Sequence, residues 1–371
     1  MRLNFAILSL GLLVAQLPGA EPIKIGIFAS LTGREASFGQ TNSRGAAFAI
    51  EELNAAGGVL GRPLELIPED TRSQQGEAAT AVKRLLSRDK VVAVVSGTGS
   101  SAALEAAPLC QAAGVPLVAA TATNPRVTEA GDYVFRACFI DPFQGTVLAK
   151  FVGGTLKLRR VAILTSVSNA YSVGLTRYFK EQFAGAGGVI AAEQKYSEGD
   201  KDFRAQLTAI KAAGADAIFA SGNYGESALI CLQARQLGLT VPLFGGDTWD
   251  SPALVEIGGR AVEGSYFPGH FSPDSADPAV RGFVQRFRTR WGKSPDSGTS
   301  LGYDAVMLLA DAIRRAGSTD RAKIRDALAA TKDFAGVTGR ITLDAQRNAS
   351  KSAVIFTVKD GKFVYVESVA P

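Results

Sequence analysis

The sequence predicts an α/β protein of two lobes, each a doubly wound parallel sheet with helices on both faces. Short apolar strands alternate with helical segments along most of the chain, which is typical of parallel sheets. The chain has 371 residues, of which 46% are hydrophobic and 20% charged, so it is long enough for two domains with sizeable cores. Three short motifs recur in the same order in both halves, which indicates that the two lobes follow one plan.

The repeated motifs also predict where the lobes meet. Each pair occupies equivalent places, such as the junction of a helix with a strand. Equivalent loops in two facing lobes would converge on one cleft, so we expect a clamshell. The pairs are Ala56–Val59 with Ala186–Val189, Ser96–Leu104 with Ser221–Leu229, and Val115–Leu117 with Val241–Leu243.

The first half of the chain contains the predicted elements of the first lobe. Its first helix ends at Gly57-Gly58, the residue type that commonly caps helix C-termini. An alanine-rich helix and a further strand follow the uncharged strand at Val91–Val95. The other predicted elements are the strand Ile23–Ala29, the strand Leu64–Glu69, the helix Gly76–Ser87 and a short edge strand at Tyr133–Arg136.

The second half repeats the pattern and ends differently. A helix at Pro142–Leu156 is expected to lead away from the first lobe, and Val280–Ala330 is mainly helical. The chain closes with two hairpin-like strands. The predicted elements between and after these are the strands Arg160–Thr165, Val189–Lys195, Asp216–Ser221 and Val262–Phe267, the helices Gly174–Ala184 and Phe203–Ala213, and the closing strands Val354–Val358 and Phe363–Val366.

A loop of small residues at Gly97–Ser101 is the first candidate site. It lacks bulky side chains, so a ligand can approach its backbone closely, and it leads into a helix. The first turn of a helix offers free N–H groups and a partial positive charge, which suit a carboxylate or a phosphate. Thr121–Pro125 should emerge at the same sheet edge and add hydroxyl groups. The alternative is two ordinary turns between strand and helix.

The N-terminal sequence, the net charge and the cysteines indicate where the protein is located and which partners it lacks. Residues 1–20 have the length and order of a secretory signal peptide, the alternative being an uncleaved membrane anchor. The net charge is +5 and dispersed, without a basic arm, so no nucleic-acid partner is expected. Cys110, Cys138 and Cys231 are interpreted as small core residues, although one bridge between two of them remains open.

Enzymatic motifs are nearly absent. Gly97–Ala102 matches the dinucleotide pattern GxGxxA, but the following strand ends without the acid that would hold a ribose. His270 is the one histidine, with no metal-binding spacing around it. We therefore expect no cofactor, no metal and no catalysis, and keep an NAD-dependent oxidoreductase as a distant alternative.

Recognition residues are more evident. Asp247 follows a second-lobe strand, where its carboxylate would hold an ammonium group while the helix terminus at Ser100 holds a carboxylate. A helix N-cap is the alternative role of Asp247. Four aromatic residues in predicted loops would wall an apolar side-chain pocket, or else pack at its rim. They are Phe38, Tyr171, Tyr224 and Trp249.

With these residues placed, the chain resembles the extracytoplasmic solute-binding proteins of amino-acid ABC importers, and most closely the leucine/isoleucine/valine-binding type. The resemblance covers nearly all of residues 22–371. It rests on a series of short motifs in a specific order. They are IKIGIFASLTG at the first strand, Ser37–Gly39, Asn54–Gly58, Ser100-Ser101, Thr121–Pro125, Phe135-Arg136, Asp141–Gly145, Asp200–Phe203, Gly245–Asp247 and Tyr303–Val306.

The resemblance implies a fold, a location and partners. The fold would be a type I periplasmic binding protein, or Venus flytrap, with residues 22–141 plus 269–344 in the first lobe and 142–268 plus 345–371 in the second. Three crossovers near Asp141, Pro268 and Asp344 would form the hinge. The protein would be a periplasmic monomer that delivers its ligand to the membrane permease of an ABC transporter.

The resemblance also implies roles for single residues. Ser100 and Thr123 would bind the ligand's α-carboxylate, the carbonyl of Thr121 would accept from the ammonium group, and Asp247 would be its counter-charge. The expected ligand is a small aliphatic or branched-chain amino acid, and the alternative is an aromatic or other carboxylic acid or an amide. Phe38, Tyr171, Asn223 and Tyr224 would contact the ligand as well, and Trp249 would shape the side-chain pocket.

Overall fold

The computed structural model of the protein describes residues 20–371. The signal peptide predicted at residues 1–20 lies outside the described residues, apart from its last one. Among the described residues, no helix combines the length and apolar character that crossing a membrane requires.

The first lobe is built on a five-stranded parallel sheet. Each strand is followed by a helix, and the strand order is β2-β1-β3-β4-β5. Apolar strand residues are buried on both faces, as the uncharged strand sequences predict. The strands are β1 (Ile23–Ala29), β2 (Leu64–Asp70), β3 (Ala93–Gly97), β4 (Leu117–Ala119) and β5 (Val134–Arg136), and the helices are α1 (Ala36–Ala55), α2 (Glu77–Ser87), α3 (Ser100–Ala112) and α4 (Arg126–Glu129).

The middle of the chain builds most of the second lobe. Helix α5 (Asp141–Lys150) continues as a wider π-helical turn, and short 3-10 turns occur at Asp247–Trp249 and Gly259–Val262. The further elements are β6 (Arg160–Ser166), α6 (Ala170–Gly185), β7 (Val189–Tyr196), α7 (Arg204–Ala212), β8 (Ala217–Ala220), α8 (Tyr224–Gln236), β9 (Leu243–Phe244), α9 (Pro252–Gly258) and β10 (Tyr266–Gly269).

The last hundred residues return to the first lobe and then complete the second. Three helices and a small antiparallel sheet come first, and a closing hairpin then joins β10 to give the seven-stranded order β15-β14-β10-β9-β8-β6-β7. The elements are α10 (Pro278–Trp291), α11 (Ser297–Ala316), α12 (Arg321–Ala329), β11 (Phe334–Gly336), β12 (Gly339–Leu343), β13 (Ala349–Ser350), β14 (Ala353–Lys359) and β15 (Lys362–Val369).

Helices α1 and α11 pack closely in the first lobe. A Cβ atom on Gly45 would lie 1.8 Å from the carbonyl oxygen of Thr299, so only glycine permits this approach. Beside this contact Phe48 packs on Phe287 and Tyr303, with ring centroids 5.4 and 5.9 Å apart respectively. The late helix α11 is therefore part of the same core as the first strands.

The predicted fold class is confirmed, and two local predictions need correction. The strand predicted at Val262–Phe267 starts at Tyr266, because Val262 ends a 3-10 turn and a further turn follows it, closed by a hydrogen bond from the N–H of Ser265 to the carbonyl of Val262. The third passage between the lobes comes after Ser350 rather than near Asp344, because β13 still pairs with β12. The three cysteines are free and buried, as the core interpretation predicts.

Candidate functional site

The candidate site is the cleft between the lobes, where loops at the carboxyl ends of parallel strands meet. This edge is where open α/β sheets generally bind ligands. A cavity of about 30 Å³ lies there, with residues of both lobes in its wall. The lining residues follow β1, β3, β4, β6, β8 and β9, and they are Glu35, Gly99, Ser100, Ser101, Ala102, Thr121, Asn169, Tyr171, Asn223 and Thr248.

The first-lobe wall of the cavity contains the N-terminus of α3. Its N-cap is Gly99, which provides no side-chain cap, so the first N–H groups of the helix remain available to a ligand. The hydroxyl oxygen of Ser100 accepts a hydrogen bond from the backbone N–H of Asn124 at 3.2 Å. The Thr121 hydroxyl donates to the carbonyl of Thr98 at 3.2 Å, which joins the two loops. This wall is suited to an anion.

The second-lobe side contains a buried carboxylate, Asp247, behind Tyr171. Its Oδ1 accepts hydrogen bonds from the Tyr171 hydroxyl at 2.7 Å and from Nε2 of Gln144 at 2.9 Å. Its Oδ2 lies 3.0 Å from Nε2 of His270. Burial lowers the pKa of His270, so this ring is neutral at pH 7.

A backbone feature makes this arrangement possible. A Cβ atom on Gly246 would lie 1.9 Å from the Tyr171 hydroxyl oxygen and 2.6 Å from Oε1 of Gln144. Glycine at this position therefore lets both side chains reach Asp247. Burial, and then the charge of Asp247, raise the pKa of Tyr171 well above its usual value, so the phenol stays protonated and donates.

A second acidic region, here called the acidic group, comprises Glu35 of the first lobe and Glu198 of the second. Nδ2 of Asn223 donates to Oε1 of Glu35 at 2.9 Å and lies 3.4 Å from Oε1 of Glu198. Glu198 also accepts from Nδ2 of Asn169 at 2.7 Å and pairs with Arg34 at 3.2 Å. Burial raises the pKa of Glu35 to about 7, and the charge of Glu198 adds to the effect.

Hydrogen bonds between the lobes show that the clamshell is closed. The Tyr224 hydroxyl donates to the carbonyl of Arg34 at 2.8 Å. The hydroxyl of Ser101 accepts from the backbone N–H of Ala170 at 3.1 Å, and Nδ2 of Asn124 donates to the carbonyl of Ala170 at 2.9 Å. These contacts form only when the two lobes are in contact.

The structure brings some predicted site residues to the cavity and leaves others behind it. Ser100, Thr121, Tyr171 and Asn223 line the cavity. Thr123 is fully buried, and its hydroxyl makes no hydrogen bond with the residues that the structure describes.

Three of the four aromatic residues predicted for the pocket, Phe38, Tyr224 and Trp249, are absent from the cavity wall. Trp249 does not line the cavity: its ring is completely buried in the second-lobe core, where Gly245 leaves room for it and its Nε1 donates to the carbonyl of Ala220 at 3.2 Å. Phe38 is also absent from the cavity wall, because it packs on the core of the second lobe, with its ring 5.6 Å from that of Tyr224.

Comparison with known proteins assigns this two-lobed chain to a family. A sequence model described as periplasmic binding protein matches residues 22–362. The chain belongs to the periplasmic binding protein family. The resemblance predicted from the short motifs is thereby confirmed, together with the type I fold.

Solved and curated relatives of this periplasmic binding protein cover most of its length. The crystal structure of a leucine-binding protein, LivK, from Thermotoga maritima has a TM-score of 0.91 and 40% identity, covering 94% of this chain and 99% of that one. LivJ from Streptococcus pneumoniae, solved in complex with isoleucine, has a TM-score of 0.90 and 34% identity, covering 95% and 100%. The leucine-, isoleucine-, valine-, threonine-, and alanine-binding protein of Pseudomonas aeruginosa is 30% identical over 88% of this chain and 86% of its own length.

Sequence reasoning missed several cavity residues of this periplasmic binding protein. Glu35, Asn169 and Thr248 were not singled out, since polar residues in loops usually face solvent. A usable signal was their position, because each follows a parallel strand at the edge where the cleft lies.

Proposed function

We propose that this periplasmic binding protein captures an α-amino acid in its interlobe cleft and delivers it to the permease of an ABC transporter. The observation that carries the proposal is the opposition of two charge-binding features across one cleft. The uncapped N-terminus of α3 suits a carboxylate, and the buried carboxylate of Asp247 suits an ammonium group. The names of its relatives support the amino-acid class.

In this proposal the first lobe binds the ligand's carboxylate through Ser100, Thr123 and the N–H groups of α3. Thr121 offers its carbonyl to the ammonium group. The second lobe then closes, and Tyr171, with Asp247 hydrogen-bonded to its hydroxyl, engages the ligand only in the closed state, so the ligand stabilises closure. No step changes a covalent bond, in keeping with a binding protein rather than an enzyme.

The closed form is the form that would dock on the permease outside the cytoplasm. Export through the predicted signal peptide at residues 1–20 accounts for this location, and a monomer suffices because one chain supplies both walls of the cleft. The aliphatic or branched-chain side chain expected from the sequence agrees with the relatives' names. The alternative ligand is an aromatic acid, another carboxylic acid or an amide.

A thermal-shift screen tests the proposal directly. Binding raises the unfolding temperature in proportion to RT ln(1 + [L]/Kd), so true ligands stand out from inert ones. We expect L-amino acids to stabilise the protein and their deaminated analogues, such as 4-methylpentanoate for leucine, to be inactive. Stabilisation by benzoate or 4-methylpentanoate equal to that by any amino acid would contradict the zwitterion proposal.

A further inference from the structure

We infer that the side chain of the bound amino acid carries a positive charge, recognised by Glu35 in the acidic group. The inference rests on the proposed function and narrows its ligand class. Glu35 is the carboxylate among the residues lining the cavity, whereas Asp247 lies behind Tyr171. Glu35 is therefore the carboxylate that a cationic side-chain group in this cavity would meet directly.

The wall of the cavity is polar at the end formed by the acidic group. Asn169, Asn223 and Thr248 accompany Glu35 there, and among the lining residues the apolar surface is limited to Ala102 and the ring of Tyr171. Valine, leucine, isoleucine and phenylalanine do not occur in this wall. A branched aliphatic side chain would thus be placed against amide and carboxylate groups, which must lose water without gaining hydrogen bonds.

The charges near Glu35 favour a cation over a neutral polar group. Glu35 and Glu198 share the amide of Asn223, at 2.9 and 3.4 Å, which draws two carboxylates towards one neutral donor. Arg34 pairs with Glu198 rather than with Glu35, and its side chain is 45% exposed, so water weakens its field. Oε2 of Glu35 makes no hydrogen bond with any described residue and remains available to the ligand.

Closure strengthens this selection, because the acidic group exists only in the closed form. Glu35 belongs to the first lobe and Glu198 and Asn223 to the second, so closing the cleft brings two carboxylates together. Their repulsion opposes closure, and a ligand ammonium or guanidinium group removes it. Binding of a cationic side chain is therefore favoured by closure of the lobes as well as by its direct contact with Glu35.

The test is a binding titration of the full mature chain with three sets of amino acids. The sets are cationic (lysine, ornithine, arginine), apolar (leucine, isoleucine, valine) and neutral polar (glutamine, asparagine). We expect the tightest cationic amino acid to bind at least about tenfold more tightly than any apolar or neutral polar one, because one modest charge interaction contributes about that factor to the affinity. Equal or tighter binding of an apolar or neutral polar amino acid would overturn the inference while leaving the proposed function intact.

The variant Glu35→Gln separates the role of this carboxylate from that of Asp247. It keeps the shape of the side chain. We expect it to lower the affinity for the cationic ligand by about tenfold or more and the affinity for leucine by less than about threefold. Equal weakening of all amino acids would assign Glu35 to the α-ammonium group and overturn the inference. Glu181→Gln, on the exposed face of α6, is the matched control. Failure of every amino acid to bind the parent would overturn the proposed function and the inference together.

Discussion

The hydroxyl of Tyr171 donates a 2.7 Å hydrogen bond to Oδ1 of Asp247, which connects a side chain in the cavity wall to a carboxylate behind it. A ligand that contacts Tyr171 is thereby coupled to a buried negative charge. The phenol stays neutral, because burial and the charge of Asp247 both raise its pKa. In the proposed function, this pair supplies the second lobe's polar contact to the ligand on closure.

Replacing Asp247 with asparagine should weaken amino-acid binding by about 3–5 kcal/mol, because a desolvated ammonium group would lose its counter-charge. Isothermal titration calorimetry measures the change. Asp326→Asn, an exposed position on α12, is the control and should bind like the parent. Parent-like affinity of Asp247→Asn would remove Asp247 from the site.

Replacing Tyr224 with phenylalanine should shift the protein towards the open form. The variant loses the 2.8 Å hydrogen bond from the hydroxyl to the carbonyl of Arg34, which joins the lobes. Loss of one such bond costs about 0.5–1.5 kcal/mol, so we expect the radius of gyration from X-ray scattering to rise and ligand affinity to fall severalfold. Tyr178→Phe on α6 is the control, and an unchanged scattering curve for Tyr224→Phe would show that this bond does not hold the lobes together.

Replacing Asp141 with asparagine should flatten the pH dependence of stability. Burial raises the pKa of Asp141 to about 7, and the charge of Asp247 adds to the effect. Between pH 4 and 7 the unfolded chain has lost this proton while the folded chain keeps it, so the free energy of unfolding falls as the pH rises, by up to about 1.4 kcal/mol per pH unit. Urea unfolding at pH 4.5 and 7.5 measures the slope, and an identical slope in the variant would contradict the assignment.

Replacing Gly45 with alanine should destabilise the first lobe by about 1–3 kcal/mol, since the new methyl group would meet the carbonyl of Thr299 at 1.8 Å. Gly185→Ala is the matched control, because no atom lies within 4 Å of its added Cβ. Alanine's higher helix propensity should make that control neutral or more stable by up to about 1 kcal/mol. Thermal unfolding compares the two variants, and equal stabilities would contradict the close packing of α1 on α11.

The parts of the fold that follow from local pattern were predictable. The uncharged run Val91–Val95 is long enough to be buried on both faces, and it overlaps β3. The loop Gly97–Ser101 was predictable as the start of a helix, so Ser100 was placed at the N-terminus of α3. Both depend on residues close together in the chain, where periodicity and small side chains carry the signal.

The parts that depend on how the lobes close were not predictable in the same way. Glu35 and Asn223 are polar loop residues 188 positions apart, and their hydrogen bond appears only when the lobes meet. Trp249 occupies a loop of the kind that lines pockets, yet Gly245 lets its ring enter the core instead. Sequence patterns identify the edge of the sheet at which a site lies, but not which side chains at that edge point inward.

The close packing of α1 against α11 has a consequence for biogenesis. Arg286, on α10, pairs at 2.6 Å with Glu52 on α1, a residue 234 positions earlier, and α11 lies later still. The first lobe therefore lacks a large share of its core until most of the polypeptide has been synthesised. A nascent chain with this order of contacts stays incompletely folded until α10 and α11 have been synthesised.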